Sequence, residues 1–276
     1  MKSQEIRMDE YMKKNLKRWN ETTQMHAKSK EYDLEGFIKG RNSLYPIELE
    51  ALGDDVSGKT LLHLQCQFGM DTLSWARLGA KVTGIDFSDI AIDLANSINE
   101  KLKLPAKFIC SDIYDLPNVL DEQFDVVFTS YGVLTWLPNI KKWAEIVSKY
   151  LKPGGIFFIA EFHPFVMIFD DEHPSELVYK YPYFHTKTPM HFKSEYTYTD
   201  SEKLVENVDM YEWQHSFSDI VNSLINAGLA ILQVKEYPYT CFNQFPFVKK
   251  CEDRFWRIED NKYEIPLMFS IKATKK

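Results

Sequence analysis

The chain has 276 residues, 45% of them hydrophobic and 26% charged, with a formal net charge of −7. That composition fits a globular protein with a sizeable core, and the acidic balance argues against a general nucleic-acid binder, which would carry a basic stripe. No run reaches the roughly 18 apolar residues of a membrane span, the first residues lack the apolar segment of a secretory signal, and Cys66, Cys110, Cys241 and Cys251 form no C-x-x-C pair, so a reduced, cytoplasmic setting is expected.

Residues 5–30 are polar and helix-prone, with Met8, Met12, Leu16 and Trp19 on one stripe, so an amphipathic helix that lies on another surface is expected. Residues 29–40 read as irregular, and Pro46 suits the first turn of a short helix to Leu52. The apolar run 60–66 reads as a strand buried on both faces. Gly69 opens a helix carrying Leu73, Trp75, Ala76 and Leu78, and a second apolar run, 81–85, leads to Asp86. A helix over 90–102, strands over 106–110 and 124–130, a helix over 139–151 stopped by Lys152-Pro153-Gly154-Gly155, and a strand over 155–161 follow. Alternating elements with short turns predict an open parallel sheet with helices on both faces. Residues 164–212, rich in Tyr, Phe, His and Pro, read as an antiparallel β insertion. A helix over 217–227 and strands over 230–237 and 266–273 complete the pattern, and 238–263 reads as an aromatic loop.

Strand, turn, helix, strand and acid over 60–88 form the first half of a nucleotide-binding α/β unit, in which ligands sit beyond the carboxyl ends of the strands. A dinucleotide fingerprint would place its glycines at Gln65, Gln67 and Met70, and none is glycine. A G-x-G-x-G spacing falls at Gln65, Gln67 and Gly69, keeping the last alone. On these residues, and on L-H-L-Q-C-x-x-G-x-D-T over Leu62–Thr72, the chain resembles the class I S-adenosylmethionine-dependent methyltransferases, and within them a bacterial small-molecule branch. The resemblance runs from about Trp19 to the C-terminus. It implies a Rossmann-like seven-stranded sheet, with the last strand antiparallel. The division expected is an N-terminal helical cap (1–58), a cofactor-binding core (59–163), an inserted antiparallel substrate lid after strand five (164–212) and a completion of the core (213–276).

Asp86 lies about 20 residues past Gln65, where a ribose-binding acid is expected; the competing reading is a cap on the helix that begins near Ser88, a position Ser88 can fill itself. Gly69 is expected to offer its N–H to the cofactor at a point where a Cβ would intrude. By resemblance, Asp112 and Ile113 bind adenine, and Ser130 opens a fourth motif, SYGVLTWLP, that contacts the methionine part. Where members of the family often carry a histidine pair, this chain has Thr135 and Trp136. Gln65, Cys66, Met70, Phe87, Ser88, Trp136 and Trp19 complete the cofactor set that the resemblance implies, and the leading segment with Trp19, Asn20, His26, Tyr32 and Arg41 is expected to cover it. Tyr131 and His163 are the candidate catalytic residues, the first as an aromatic face near a sulfonium, the second as a base. The competing reading of His163 is a structural hydrogen-bonder, with Glu161 a weaker candidate beside it, and His63 reads as a core histidine. His173, His185 and His191 match no metal pattern, so no metal is expected.

The function expected is methyl transfer from S-adenosylmethionine to a small-molecule acceptor, without nucleic-acid or membrane partners, by a monomer or homodimer. A nucleotide-binding oxidoreductase and a non-catalytic S-adenosylmethionine- or nucleotide-binding protein on the same scaffold are the alternatives.

Overall fold

The computed structural model describes residues 2–53, 55–258 and 263–276, with side chains from residue 10 onward; Met8 of the expected stripe, Asp54, and 259–262 of the expected loop lie outside that description. The described helices are α1 (Lys2–Lys28), α2 (Leu34–Ile38), α3 (Pro46–Leu52), α4 (Met70–Arg77), α5 (Asp89–Leu102), α6 (Ile140–Tyr150) and α7 (Phe217–Asn226). The described strands are β1 (Thr60–Leu64), β2 (Lys81–Asp86), β3 (Ala106–Cys110), β4 (Phe124–Ser130), β5 (Leu151–Phe162), β6 (Met190–Lys193), β7 (Asp209–Glu212), β8 (Leu229–Tyr237), β9 (Val248–Lys250), β10 (Trp256–Ile258) and β11 (Met268–Lys275). Seven of them form one sheet in the order β3-β2-β1-β4-β5-β11-β8. β1 to β5 pair in parallel, and β11 runs antiparallel to both its neighbours. This is the Rossmann-like methyltransferase sheet, with antiparallel hairpins added to it. No described helix is long and apolar enough to cross a membrane.

The sheet is buried because its strands are apolar on both faces. On one face Leu62, Val127, Phe157 and Ile271 pack against Trp143 and Val147 of α6 and Leu224 of α7. On the other, Leu61, Val126, Phe128 and Phe158 meet Trp75 of α4 and Ile47 of α3. Phe128 and Phe157 are fully buried on opposite faces; such a side chain contributes about 1.5–3 kcal/mol.

Three expectations are corrected. Residues 29–40 contain α2, because Asp33, in a left-handed conformation, caps it through the N–H of Gly36 at 3.0 Å. Lys152-Pro153-Gly154-Gly155 does not separate α6 from its strand: β5 begins at Leu151, directly after the helix, and the four residues are absorbed where the pairing with β4 shifts register between Phe124 and Val126. The aromatic segment after β8 is not loop throughout, since β9 and β10 pair as an antiparallel hairpin. Within the insertion, β6 and β7 form the expected antiparallel pair, and most of the remainder is irregular.

Candidate functional site

The turn from β1 into α4 holds three alternate residues in the left-handed region: Gln65 at φ 57°, Gln67 at 52° and Gly69 at 77°. A side-chain-bearing residue there costs about 1–2 kcal/mol, so the surroundings must over-determine it. They do so through Cys66 N–H donating to the Ile85 carbonyl at 2.8 Å, Gln67 N–H donating to Asp86 Oδ2 at 2.8 Å, and Gln65 Nε2 donating to the Val133 carbonyl at 3.0 Å. The turn keeps a glycine-type path although two of its glycines are glutamines.

Asp86 ends β2 with its other oxygen accepting the Ser88 N–H at 2.9 Å. Burial pushes its carboxyl up to about 6, against the backbone donors of Ser88, Gln67 and Phe87. With the Gln67 and Ser88 N–H groups on different oxygens, the carboxylate keeps lone pairs for a ligand. Ser88 caps α5 through the Ala91 N–H at 3.0 Å and donates its hydroxyl to Asn20 Oδ1 at 2.6 Å. The capping role thus belongs to Ser88, and α1 is tied to the end of β2. Phe87, between them, is half-buried.

Gly69 departs from expectation. Its N–H donates to the Cys66 carbonyl at 2.9 Å, and a Cβ would meet the Phe108 ring at 2.5 Å. The glycine is required by protein packing rather than by ligand approach. Gly69→Val is therefore expected to lower stability by about 2–4 kcal/mol, from overpacking and left-handed strain, with thermal unfolding as the measurement. A variant with unchanged melting and selective loss of ligand binding would restore the original expectation. Cys66 and Met70 are buried in the same cluster as Phe108, so their side chains serve the core.

Asp112, past β3, is half-buried, with Oδ1 accepting the Tyr114 N–H at 2.7 Å, and burial raises its pKa. Ile113 is buried in the core, which leaves its backbone for any ligand. Ser130, at the end of β4, donates to Asp71 Oδ2 at 3.2 Å. Tyr131 follows at φ 38°, with its ring edge-on to Tyr45 at 5.6 Å. Trp19 of α1 and Trp136 meet edge-on at 5.2 Å, so these two candidates, far apart in sequence, share one place.

The leading segment and the insertion lock together over this edge. Buried Arg18 donates to three main-chain carbonyls of the insertion, Ser194 at 2.8 Å, Asn207 at 3.0 Å and Tyr196 at 2.7 Å. His26 Nε2 meets the Thr197 hydroxyl at 2.5 Å, while Nδ1 lies 3.2 Å from Gln67 Nε2 and 3.3 Å from the Tyr198 hydroxyl. Tyr32 and Tyr198 share a hydroxyl contact of 2.5 Å. Gln67 thereby joins the turn, the first helix and the insertion. Arg41 is occupied by the Asp33 carboxylate at 3.0 Å and by the Tyr32 carbonyl.

His163, just past β5, and Glu161, near the end of that strand, are both engaged. His163 Nδ1 accepts the Phe165 N–H at 3.1 Å, Nε2 faces Glu236 at 2.9 Å, and the ring stacks on Phe217 at 5.2 Å. Burial lowers its pKa against the pull of Glu236. Nε2, buried, has that carboxylate beside it but no hydrogen bond of good geometry, so the stacking and the Nδ1 bond favour the structural reading. Glu161 accepts four backbone N–H groups, from Gly132 at 2.5 Å and Phe162 at 2.7 Å on one oxygen and from Val133 at 2.8 Å and Leu134 at 3.1 Å on the other. It holds the loop after β4, and burial pushes its carboxyl up despite those donors. His63 is a core residue, with Nδ1 2.8 Å from the Thr72 hydroxyl. His173, His185 and His191 are each taken by local partners, the Glu176 N–H, the Gln214 carbonyl and Asp209.

Sequence reasoning missed Arg18, Thr197, Tyr198, Glu48 and Asp71 in this neighbourhood. A buried arginine or glutamate is indistinguishable from a surface one without its partners. Two cavities are described, one of about 40 Å³ beside Thr135, Phe162 and Trp213 and one of about 260 Å³ beside Gln24 and Lys203. Neither is lined by Asp86 or Asp112.

Residues 62–159 match the family described as methyltransferase domain. A ubiquinone biosynthesis O-methyltransferase of Proteus mirabilis is 29% identical over 134 residues, 47% of this chain and 54% of that protein. The protein of the same name from Nitrosococcus oceani is 32% identical over 132 residues, 46% of this chain and 55% of its own length. The chain thus spans about half the length of the curated relatives it matches. A putative S-adenosylmethionine-dependent methyltransferase from Listeria monocytogenes superposes with a TM-score of 0.59 at 21% identity, over 83% of this chain and 96% of that one. The chain thus has the fold of the S-adenosylmethionine-dependent methyltransferases, and within it residues 62–159 match the methyltransferase-domain family.

Proposed function

We propose that the chain transfers a methyl group from S-adenosylmethionine to a small molecule. The observation that carries this reading is the turn over 65–69, which keeps its left-handed residues and ties its backbone to Asp86 at the end of β2. In this reading Asp86 accepts the ribose hydroxyls through its remaining lone pairs, the 65–69 turn lies along the cofactor, and Asp112 with the Ile113 backbone takes the adenine. Trp19 and Trp136 wall the site, and Ser130 and Tyr131 stand at the methionine end. The cofactor, when bound, supplies an electrophilic methyl group on a sulfonium. The chain's own part is to align the acceptor and exclude water, and alignment of this kind is worth about 7–11 kcal/mol. His163 is a structural residue here. The insertion 164–212, with 19–41, selects the acceptor; it lies outside the matched domain, so the oxygen acceptor in the relatives' name does not transfer with it.

Calorimetry with S-adenosylmethionine, S-adenosylhomocysteine and nicotinamide cofactors tests the reading. The first two are expected to bind and the last not. Asp86→Ala is expected to weaken cofactor binding more than about tenfold, since each charge-assisted bond contributes about 1.5–3 kcal/mol. Only ionised Asp86 accepts both hydroxyls, so affinity should fall as pH drops below about 6 in the wild type and not in the variant. Equal affinity in a folded Asp86→Ala protein removes Asp86 from the site. A screen for methyl uptake separates an enzyme from a binding protein on this scaffold.

A further inference from the structure

The β1–α4 turn carries a glutamine at two positions whose φ suits glycine, 57° at Gln65 and 52° at Gln67. Such a residue stays in the left-handed region where its surroundings hold it, while a glycine takes that path freely. The two side chains find different holders. Gln65 Nε2 donates to the Val133 carbonyl at 3.0 Å, within the matched residues 62–159. Gln67 reaches outside them. Its Nε2 lies 3.2 Å from His26 Nδ1 on α1 and 3.5 Å from the Tyr198 hydroxyl in the insertion.

These contacts have a direction. An amide nitrogen only donates, so His26 Nδ1 accepts, and the ring proton sits on Nε2, which faces the Thr197 hydroxyl at 2.5 Å. Burial lowers the His26 pKa to about 3, which keeps the ring neutral and that acceptor available. The Tyr198 hydroxyl completes the cluster, 3.3 Å from His26 Nδ1 and 2.5 Å from the Tyr32 hydroxyl. At its other end Gln67 donates its backbone N–H to Asp86 Oδ2 at 2.8 Å. One residue therefore has its main chain on the acid proposed for the ribose and its side chain against the insertion.

The two segments around Gln67 are held differently. α1 is tied to the end of β2 and to α5, with Asn20 accepting from the Ser88 hydroxyl at 2.6 Å and donating to Asp89 Oδ1 at 2.7 Å. Outside β6 and β7 the insertion is mostly irregular. Side chains hold it to α1, among them Arg18 and Glu21, the latter accepting the Glu206 and Asn207 N–H groups at 2.7 and 2.9 Å. Undocking the insertion removes Tyr198 from Gln67 and Thr197 from His26. Gln67 then loses part of what keeps it left-handed, and its N–H is no longer fixed on Asp86. A ligand that needs the turn and Asp86 in their present places favours the docked form, and by linkage docking raises its affinity by the same factor.

Resting on the methyl-transfer reading, we propose that Gln67 is a positioning residue through which the cofactor and the docked insertion stabilise one another, so that cofactor binding seats the segment that selects the acceptor. A glycine at this position keeps the path of the turn without help from the insertion, and so separates coupling from simple support.

The test treats the full chain with trypsin and follows cleavage after Lys193 and Lys203 by mass spectrometry. Each protein is cut without ligand and with S-adenosylhomocysteine at a concentration that saturates it in its own calorimetric titration. Cleavage of a briefly opened segment tracks its open population. In the wild type the ligand is expected to slow cleavage at least about fivefold, the lower end of coupling between two sites. Gln67→Gly and, independently, Tyr198→Phe should each bring that factor below about twofold. A residue that merely supported the insertion would change cleavage with and without ligand alike and leave the factor as it was. An unchanged factor in either folded variant therefore overturns the proposal. So does the absence of slowing in the wild type, or loss of S-adenosylhomocysteine binding by a folded Gln67→Gly protein. Circular dichroism checks folding, and where one variant is unfolded the other decides. Failure of S-adenosylhomocysteine to bind the wild type would overturn the methyl-transfer reading, a distinct result.

Discussion

Glu161→Gln is expected to lower stability by about 2–5 kcal/mol and to disorder the loop after β4. The carboxylate accepts two backbone N–H groups on each oxygen, with Gly132 and Phe162 on one side and Val133 and Leu134 on the other. A glutamine keeps one oxygen and turns an NH2 group toward the other two donors. Two buried N–H groups then lose their acceptor and face a donor, at about 1–3 kcal/mol each. Because Gly132 to Leu134 lead directly to Trp136, the damage should reach ligand binding as well as stability. Denaturant unfolding with a cofactor titration measures both. A Glu161→Gln protein of wild-type stability would mean that water replaces the lost acceptor, and that the loop is held by other contacts.

Arg18→Ala should release the insertion from α1. One guanidinium satisfies three carbonyls spread over Ser194, Tyr196 and Asn207, a fork that lysine, as a point charge, cannot reproduce. Without it three main-chain acceptors lose their partner, and the docked insertion loses about 2–5 kcal/mol. The expected readout is rapid tryptic cleavage at exposed Lys193 or Lys203 under conditions where the wild type resists, with the main melting transition retained. Acid should act on the same contact through His26. Burial holds its pKa at about 3, below the usual 6.5. A depressed histidine contributes its stability above 6.5 and loses it as pH falls toward 3. Wild-type cleavage at the same lysines, assayed with an acid-active protease, should therefore accelerate below pH 6.5. Acid-insensitive docking would show that His26 is protonated without opening the contact.

Much of the core was legible because its signals are local. The apolar runs over β1, β2, β3 and β4 carry their own burial pattern, Gly69 and Ser88 mark the starts of α4 and α5, and the long apolar run of β11 returns to the sheet. Where local cues misled, a tertiary contact won. Lys152 to Gly155 looked like a terminator, yet pairing with β4 absorbs the four residues inside β5. The hairpin of β9 and β10 has weak patterning of its own and is stabilised by Val248 and Ile258 packing with Val166 and Phe245. Asp86 and Gly69 were proposed from spacing along the chain, and the other candidate cofactor residues from the resemblance. The reasons expected for them were less secure, since Gly69 serves Phe108 and His163 serves Glu236 and Phe217.

What the sequence by itself determined is the α/β order and the place of Asp86, because these depend on hydrophobic period, turn chemistry and spacing within about 30 residues. What only the tertiary structure decided is which polar side chains work together. Arg18 finds its carbonyls 176 to 189 residues away, and Glu48 is buried beside Tyr131 by a fold that its own segment does not predict. The free energy of a polar group depends on whether its partners and its exclusion from water are supplied together, and both are properties of the packed molecule, not of neighbours in the chain.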